Sequence, residues 1–384
     1  MKTLRRRTGG RAASGAAAAP RRTLRVALCG LGAVGRGWLR LLLRMRERLA
    51  REERLSVQIT GVASRSRGAR IDAAGFDPRR LLREPWKRTC AASREEAPVQ
   101  GDPIPAWIRS VPADLLIELT ALSPRTGQPA LSYIETALER GLHVITANKG
   151  PIAWGWSRLQ RAAARSGARL YYEGTALDGL PVFSLRGEAL AGCRVLSFRG
   201  IVNSTTQYLL QEVERGRSAA TALADMQKAG IAEADPRCDL EGWDSALKVS
   251  VLANALLGGP LRPDQVRRRG IERLTEERIR SAAAEGRPWR LIAEAGREGG
   301  RLWGRVAPQR LEPGEPLAGL QGTTNALTLV TDPLGTITLI EVEPDVQQTA
   351  AAVMMDLIRL GRALGAPQAA AARQAGHDSV AHAR

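Results

Sequence analysis

The sequence predicts an α/β protein in two folded parts. Three observations carry that reading. Short apolar runs alternate with helical patterns between residues 24 and 146; a glycine-rich turn joins the first such run to the first helix; and four β-rich runs crowd between residues 289 and 342. Strands alternating with helices imply βαβ units and a parallel sheet. The later crowding implies a second sheet in an α+β part.

LRVALCG (24–30) is an apolar run that ends at glycine, which fits a buried strand. A helical pattern follows from Val34 to about Leu49. SVQITGVAS (56–64) and DLLIELT (114–120) read as the next strands, then a helix over Gln128–Arg140 leads into HVIT (143–146). The stretch 65–112 is rich in Arg and Pro and reads as an irregular excursion. After ANKGP (147–151) come a helix, the strand ARLYY (168–172) and the strand RVLSFRGIV (194–202). Helices are expected over 205–215, 218–229 and 243–257, then strands at 289–295, 301–308, 325–332 and 336–342, and a last helix over about Val346–Leu364.

The chain has 384 residues, 44% of them hydrophobic, enough for two domains with substantial cores. Its formal net charge is +18, but the positive residues are almost all arginines spread along the chain, so nucleic acid is not the expected partner. Cys29, Cys90, Cys193 and Cys238 lie far apart, with no Cys-x-x-Cys spacing. That fits a reducing cytoplasm better than a disulfide framework or zinc site. No apolar run approaches membrane-spanning length. Residues 1–22 hold seven basic residues and no acid; they read as a disordered tail, with a targeting segment or a misplaced start sharing that composition.

GLGAVG (30–35) follows a strand and opens a helix, the context that gives Gly-x-Gly-x-x-Gly its meaning. Gly30 allows the tight turn, Gly32 lets the backbone approach a pyrophosphate, and Gly35 lets helix and strand pack closely. The expected ligand is a nicotinamide dinucleotide held by Gly30, Gly32, Ala33, Val34 and Gly35. At the end of the second strand stand Ser64 and Arg65 rather than an acid. Arg65 could take a 2′-phosphate, which favours NADP over NAD.

Lysine is rare here: Lys2, Lys87, Lys149, Lys228 and Lys248. Where a fixed positive charge suffices the chain uses Arg, so its lysines are candidates for proton work. Lys149 and Lys248 lie in dense motifs. EADPRCDLEGWDSALK (233–248) gathers Glu233, Asp235, Asp239, Glu241 and Asp244 before Lys248. Asp244 and Lys248 are four apart and share a helical face. The strongly apolar helix beyond them should be buried, with its start in a cleft. A carboxylate cluster suits a substrate ammonium group, and a lysine suits an oxygen gaining charge. With a nicotinamide nearby, the chemistry is hydride transfer coupled to proton transfer. His143, His377 and His382 form no ligand set.

Taken in order, these motifs resemble the homoserine dehydrogenase family in its short form, without a C-terminal ACT domain. The resemblance covers about residues 24–365 through GLGAVG, ELT (118–120), TGQPA (126–130), HVITANKGP (143–151), EGTALDGLP (173–181), GIVNSTTQYLL (200–210) and the acidic stretch. It implies reversible NAD(P)H-linked reduction of L-aspartate 4-semialdehyde to L-homoserine, a step towards threonine and methionine, in a cytoplasmic homodimer formed through the second-domain sheet. Carried over residue by residue, Lys248 donates the proton and Lys149 assists near the cofactor. Glu233 and Asp244 hold the substrate with Asp239 in support, and Thr120 lies beneath the nicotinamide. Glu173, with carbonyls around Ala176, Asp178 and Leu180, would hold a sodium ion at the hinge. The expected fold is thus a Rossmann-like nucleotide-binding domain over 24–153, completed by a helix at about 345–365, plus an α+β catalytic and dimerisation domain over 154–342. Tails at 1–23 and 366–384 flank them.

Three departures from the family pattern stand out. Asp178 replaces a small residue, Ser204 and Gln207 replace Gly and Asn, and EVEPDVQQTA (341–350) occupies the place of a glycine-rich loop. They leave two alternatives open: a relative acting on another amino-acid semialdehyde or keto substrate, or a non-catalytic dinucleotide-binding protein.

Overall fold

The computed structural model describes residues 22–65, 67–83, 102–228, 232 and 235–365. Residues 84–101, Glu233 and most of both expected tails lie outside these. Two six-stranded sheets organise the chain.

The first sheet holds β1 (Arg22–Cys29), β2 (Leu55–Ser64), β3 (Gly68–Phe76), β4 (Leu115–Glu118), β5 (His143–Thr146) and β6 (Leu170–Tyr171), in the order β3-β2-β1-β4-β5-β6. All neighbours are parallel except β2 and β3. Val26 and Leu28 on one face of β1 and Ala27 and Cys29 on the other are all buried, as a strand covered on both faces requires. Helices α1 (Ala33–Glu52), α2 (Pro78–Arg83), α3 (Ile104–Ser110), α4 (Ala130–Glu139) and α5 (Lys149–Ser166) make the crossovers. One face packs Trp38, Leu39 and Leu42 of α1 against Val353, Leu357 and Leu360 near the chain's end. The other packs α3, α4 and α5 and runs on into the second domain.

One expectation needs correction here. Residues 65–112 are not merely irregular: β3 extends the sheet edge and α3 buries Ile104, Trp107 and Ile108 beneath it. β3 is an edge strand of small and polar residues, and its pairing with β2 decides its structure. Strand β1 begins at Arg22, inside the stretch assigned to the tail. The boundary expected at 153/154 falls within α5, and β6 beyond it still pairs with β5.

The chain then crosses to the second domain through α6 (Val182–Ser184), β7 (Arg194–Ile201), α7 (Ser204–Glu214), α8 (Ala219–Lys228), α9 (Arg237–Leu240), α10 (Trp243–Leu257), β8 (Arg267–Arg268), α11 (Glu276–Ala284), β9 (Trp289–Glu298), β10 (Arg301–Arg310), β11 (Asn325–Asp332) and β12 (Gly335–Glu341). The sheet order is β12-β11-β7-β9-β10-β8, antiparallel except for β8 with β10. α10 packs on its inner face: a Cβ on Gly304 of β10 would meet the Val249 side chain at 2.8 Å. The chain returns to the first domain as α12 (Val346–Gly365), which packs on α1.

Both crossings are held by carboxylates. Glu173 accepts from the backbone N–H groups of Phe183 (2.7 Å) and Ser184 (2.8 Å), and its own N–H donates to Asp356 of α12 (2.8 Å). Arg359 reaches both acids, 3.4 Å from Glu173 and 3.1 Å from Asp356. Burial, then the Glu173 charge, pushes the Asp356 carboxyl up to about 7.

Candidate active site

The glycine turn is built as the sequence predicts. Gly30 has φ +108°, and a Cβ there would lie 2.3 Å from the Leu119 carbonyl oxygen. A Cβ on Gly35 would lie 2.3 Å from the Gly30 carbonyl oxygen. Gly32 differs: a Cβ there meets nothing within 4 Å, so the space over it is open. Gly32 caps α1 with no side-chain hydrogen bond, and no acid occupies the first turn at Ala33, Val34 and Gly35. A helix N-terminus with unclaimed N–H groups and open space beside a glycine fits a pyrophosphate. Arg65 is exposed just beyond β2.

At the ends of β4 and β5 a buried carboxylate missed by sequence reasoning organises the floor. Glu118 accepts from the Thr120 N–H (2.8 Å) and hydroxyl (2.5 Å) and from the Thr146 hydroxyl (2.8 Å). Burial raises its carboxyl above the usual range despite these bonds. Asn148 caps α5 through Gly150 N–H (3.2 Å) and donates to the Thr120 carbonyl (3.3 Å). This fixes Lys149, the first residue of α5, at the rim facing the second domain.

Across the cleft, α10 opens at Gly242, φ +79°, and presents Asp244 and Lys248 one turn apart. Asp244 joins both lysines: Oδ1 lies 3.3 Å from Lys149 Nζ and Oδ2 3.5 Å from Lys248 Nζ. Asn203, between β7 and α7, donates to Asp244 Oδ2 (3.0 Å) and to Asp239 Oδ1 (2.8 Å). Its own Oδ1 accepts from Thr206 N–H (2.9 Å), capping α7. Lys248 Nζ also donates to the Val202 carbonyl (2.7 Å). The structure thus brings Lys149, Lys248, Asp239 and Asp244 together, with Asn203 as an organiser whose only sequence signal is an Asn between a strand and a helix.

Charge settles the protonation states. Burial pushes the Asp244 carboxyl up, but the Lys248 and Lys149 ammonium groups outweigh it and hold it well below the usual range. Burial pushes the Lys248 amine down, yet Asp244, then Asp178, Asp239 and Glu341, outweigh that and raise it. Burial and the Asp244 charge raise Asp239. Burial alone suggests an amine that loses its proton readily; the surrounding carboxylates reverse that direction.

The departures have structural roles. Asp178 adopts φ +34°, and its Oδ1 accepts from the Thr349 hydroxyl (2.8 Å). Gln207 donates to the Leu320 carbonyl (3.2 Å). Asp345 Oδ1 accepts from Gln347 N–H (2.8 Å) and Gln348 N–H (2.9 Å) at the head of α12, so the 341–350 loop spends its amides on a cap. Glu341 Oε1 accepts from Gly179 N–H (2.7 Å) and Leu180 N–H (3.1 Å).

For a cation at the hinge, the fit is incomplete. The Glu173 carboxylate is committed to Phe183, Ser184 and Arg359, and the Leu180 carbonyl accepts from Val182 N–H (2.8 Å). Among the described residues no group of three or more His, Cys, Asp or Glu could hold a metal.

Gly32→Val is expected to cost no more than about 1 kcal/mol of stability, through loss of a glycine N-cap, yet weaken dinucleotide binding at least about tenfold. Differential scanning calorimetry and titration of the dinucleotide check both halves; unchanged affinity would place the ligand elsewhere.

Comparison with known proteins agrees with this geometry. A family model for the homoserine dehydrogenase NAD binding domain matches residues 30–173, and one for homoserine dehydrogenase matches residues 181–358. The chain is 34% identical over 337 residues to the NAD(+)-dependent homoserine dehydrogenase of Pseudomonas canavaninivorans, covering 88% of this chain and 96% of that one. It is 32% identical over 340 residues to the homoserine dehydrogenase of Methanocaldococcus jannaschii, covering 87% and 98%. The solved homoserine dehydrogenase of Thermoplasma acidophilum superposes with a TM-score of 0.75 at 26% identity, covering 89% of this chain and 100% of that chain. A nucleotide cradle, two lysines on one aspartate and these relatives lead to one conclusion: the chain belongs to the homoserine dehydrogenase family.

Proposed function

We propose that the cleft interconverts L-homoserine and L-aspartate 4-semialdehyde, with Lys248 moving the proton and Asp244 positioning both lysines. The observation that carries this reading is the Lys149–Asp244–Lys248 bridge spanning the two domains. The dinucleotide, seated on the α1 cradle, supplies or accepts the hydride. In reduction, the Lys248 ammonium donates its proton to the aldehyde oxygen as that oxygen gains charge. In oxidation, the neutral amine takes the hydroxyl proton. Lys149 adds positive charge beside the same oxygen. Asp239, with Glu233, receives the substrate ammonium; Asp244 has both oxygens occupied by the lysines and Asn203 and acts through them.

The family and the domain match support NAD as a cofactor. Arg65, exposed beyond β2 with no acid at Ser64, supports use of NADP as well. A cytoplasmic site of action accords with Cys29 and Cys193 standing as thiols outside any disulfide; no described helix is long and apolar enough to cross a membrane.

A homodimer is the assembly this reading favours. The outer face of the second sheet carries Trp303 and Val330, each 38% exposed and level with one another through Gly296 and Ser197, with Ile340, 48% exposed, farther along the same face. An apolar sheet face of this kind suits a second copy of the chain. Ile340→Glu should shift sedimentation from dimer to monomer; a persistent dimer would move the interface elsewhere.

Steady-state homoserine oxidation tests the chemistry. Lys248→Met should lower kcat/KM by about 10² to 10⁴ with the fold intact. Because Lys248 is raised above its ordinary 10.5, wild-type oxidation should climb with pH up to at least that value, whereas semialdehyde reduction should stay flat through neutrality. Arg65→Ala should raise KM for NADP and spare NAD. An oxidation rate that plateaus below pH 8, or a fully active Lys248→Met, contradicts the assignment.

A further inference from the structure

The reacting centre holds more negative charge than its proton and ammonium chemistry requires. Asp244 serves the two lysines, and Asp239 lies beside it on Asn203. Two further carboxylates, Asp178 and Glu341, also act on the Lys248 ammonium. Both are built in. Asp178 stands at φ +34°, a conformation that glycine adopts freely and aspartate adopts at a cost, and Thr349 fixes its carboxylate. Glu341 is 5% exposed, and its Oε1 accepts two backbone N–H groups.

Their place in the fold is informative. Thr349 lies in the opening turns of α12, and a Cβ on Gly37 of α1 would meet Ala350 at 3.2 Å and Gln347 at 3.8 Å. The Asp178–Thr349 pair therefore lies beside the contact of α12 with the head of α1, which carries the phosphate cradle, and within electrostatic reach of Lys248. A dinucleotide that reaches from that cradle to a substrate on Lys248 crosses this ground with its nicotinamide end. Its oxidised and reduced forms differ at that end by one positive charge, and fixed charges count most where water is excluded.

We propose that Asp178 and Glu341 are specificity-determining residues for the oxidation state of the cofactor: their charge favours the cationic nicotinamide over the neutral dihydronicotinamide, and so inclines the bound equilibrium towards the oxidised cofactor and the alcohol, the products of aldehyde reduction. This rests on the dinucleotide seat argued above. Neither residue need touch the substrate for the effect, which is electrostatic and is read in cofactor binding without turnover.

The test is titration of the full chain with NAD+ and with NADH, without substrate, in wild type, Asp178→Asn and Glu341→Gln, at about pH 9, where Glu341, held up to about 7, carries its charge. Asn keeps the acceptor for Thr349 and tolerates positive φ, and Gln keeps the acceptor for Gly179 and Leu180. Asp178→Asn should weaken NAD+ binding about fivefold to tenfold and leave NADH binding unchanged or tighter. Glu341→Gln should move the same ratio in the same direction, and its ratio decides the matter if Asp178→Asn fails to fold. Equal losses for both forms, or an unmoved ratio, overturn the proposal while sparing the dehydrogenase reading. A wild-type protein that binds neither form overturns both.

Discussion

The Asp244 carboxylate is the constraint on which the site depends. It is buried, and a buried carboxylate must be paired or give up its charge. Its partners come from different domains: Lys149 from the head of α5, Lys248 from its own helix α10, and Asn203 from the loop between β7 and α7. Because one anion faces two cations, each lysine is fixed relative to the other without touching it. The first sheet delivers Lys149 through Glu118, Thr146 and Asn148; the second domain delivers Lys248 through the apolar packing of α10 on its sheet. The chemistry sits where those two delivery systems meet.

The same logic governs the hinge. A chain with a formal net charge of +18 places its acids where they do structural work. Glu173, Asp356 and Arg359 bind the outward crossing to α12, Glu341 binds the end of β12 to the 179–180 turn, and Asp178 binds that turn to Thr349. Each tie runs between segments far apart in sequence, so the two crossings form one connected hinge. Burial holds Glu341, like Asp356, up to about 7. Part of this network therefore changes charge near neutrality.

Much of this was legible in the sequence. The parallel sheet followed from alternating apolar runs, and HVIT (143–146), NALTLVTD (325–332) and the helix 243–257 have the bounds their patterns indicate. The glycine turn and the four-residue spacing of Asp244 and Lys248 were readable because local geometry alone sets them. β3 and α3 were not, since an edge strand of small residues and a short helix after proline take their structure from neighbours. Glu118, Asn203 and Glu341 escaped for a similar reason: their roles are tertiary hydrogen bonds with no periodic signature. The protonation of Lys248 was not legible either, because burial is visible in a sequence pattern, whereas four converging carboxylates are visible only in three dimensions. Glu233 lies outside the described residues, so its role still rests on the motif.

A double-mutant cycle on homoserine oxidation addresses the central bridge most directly. If Asp244 acts through the lysines, Asp244→Asn and Lys248→Met remove one unit, and the double variant should lose little more kcat/KM than the worse single variant. Losses that multiply across the two substitutions would mean that Asp244 and Lys248 act independently, and the bridge would not be what organises the site.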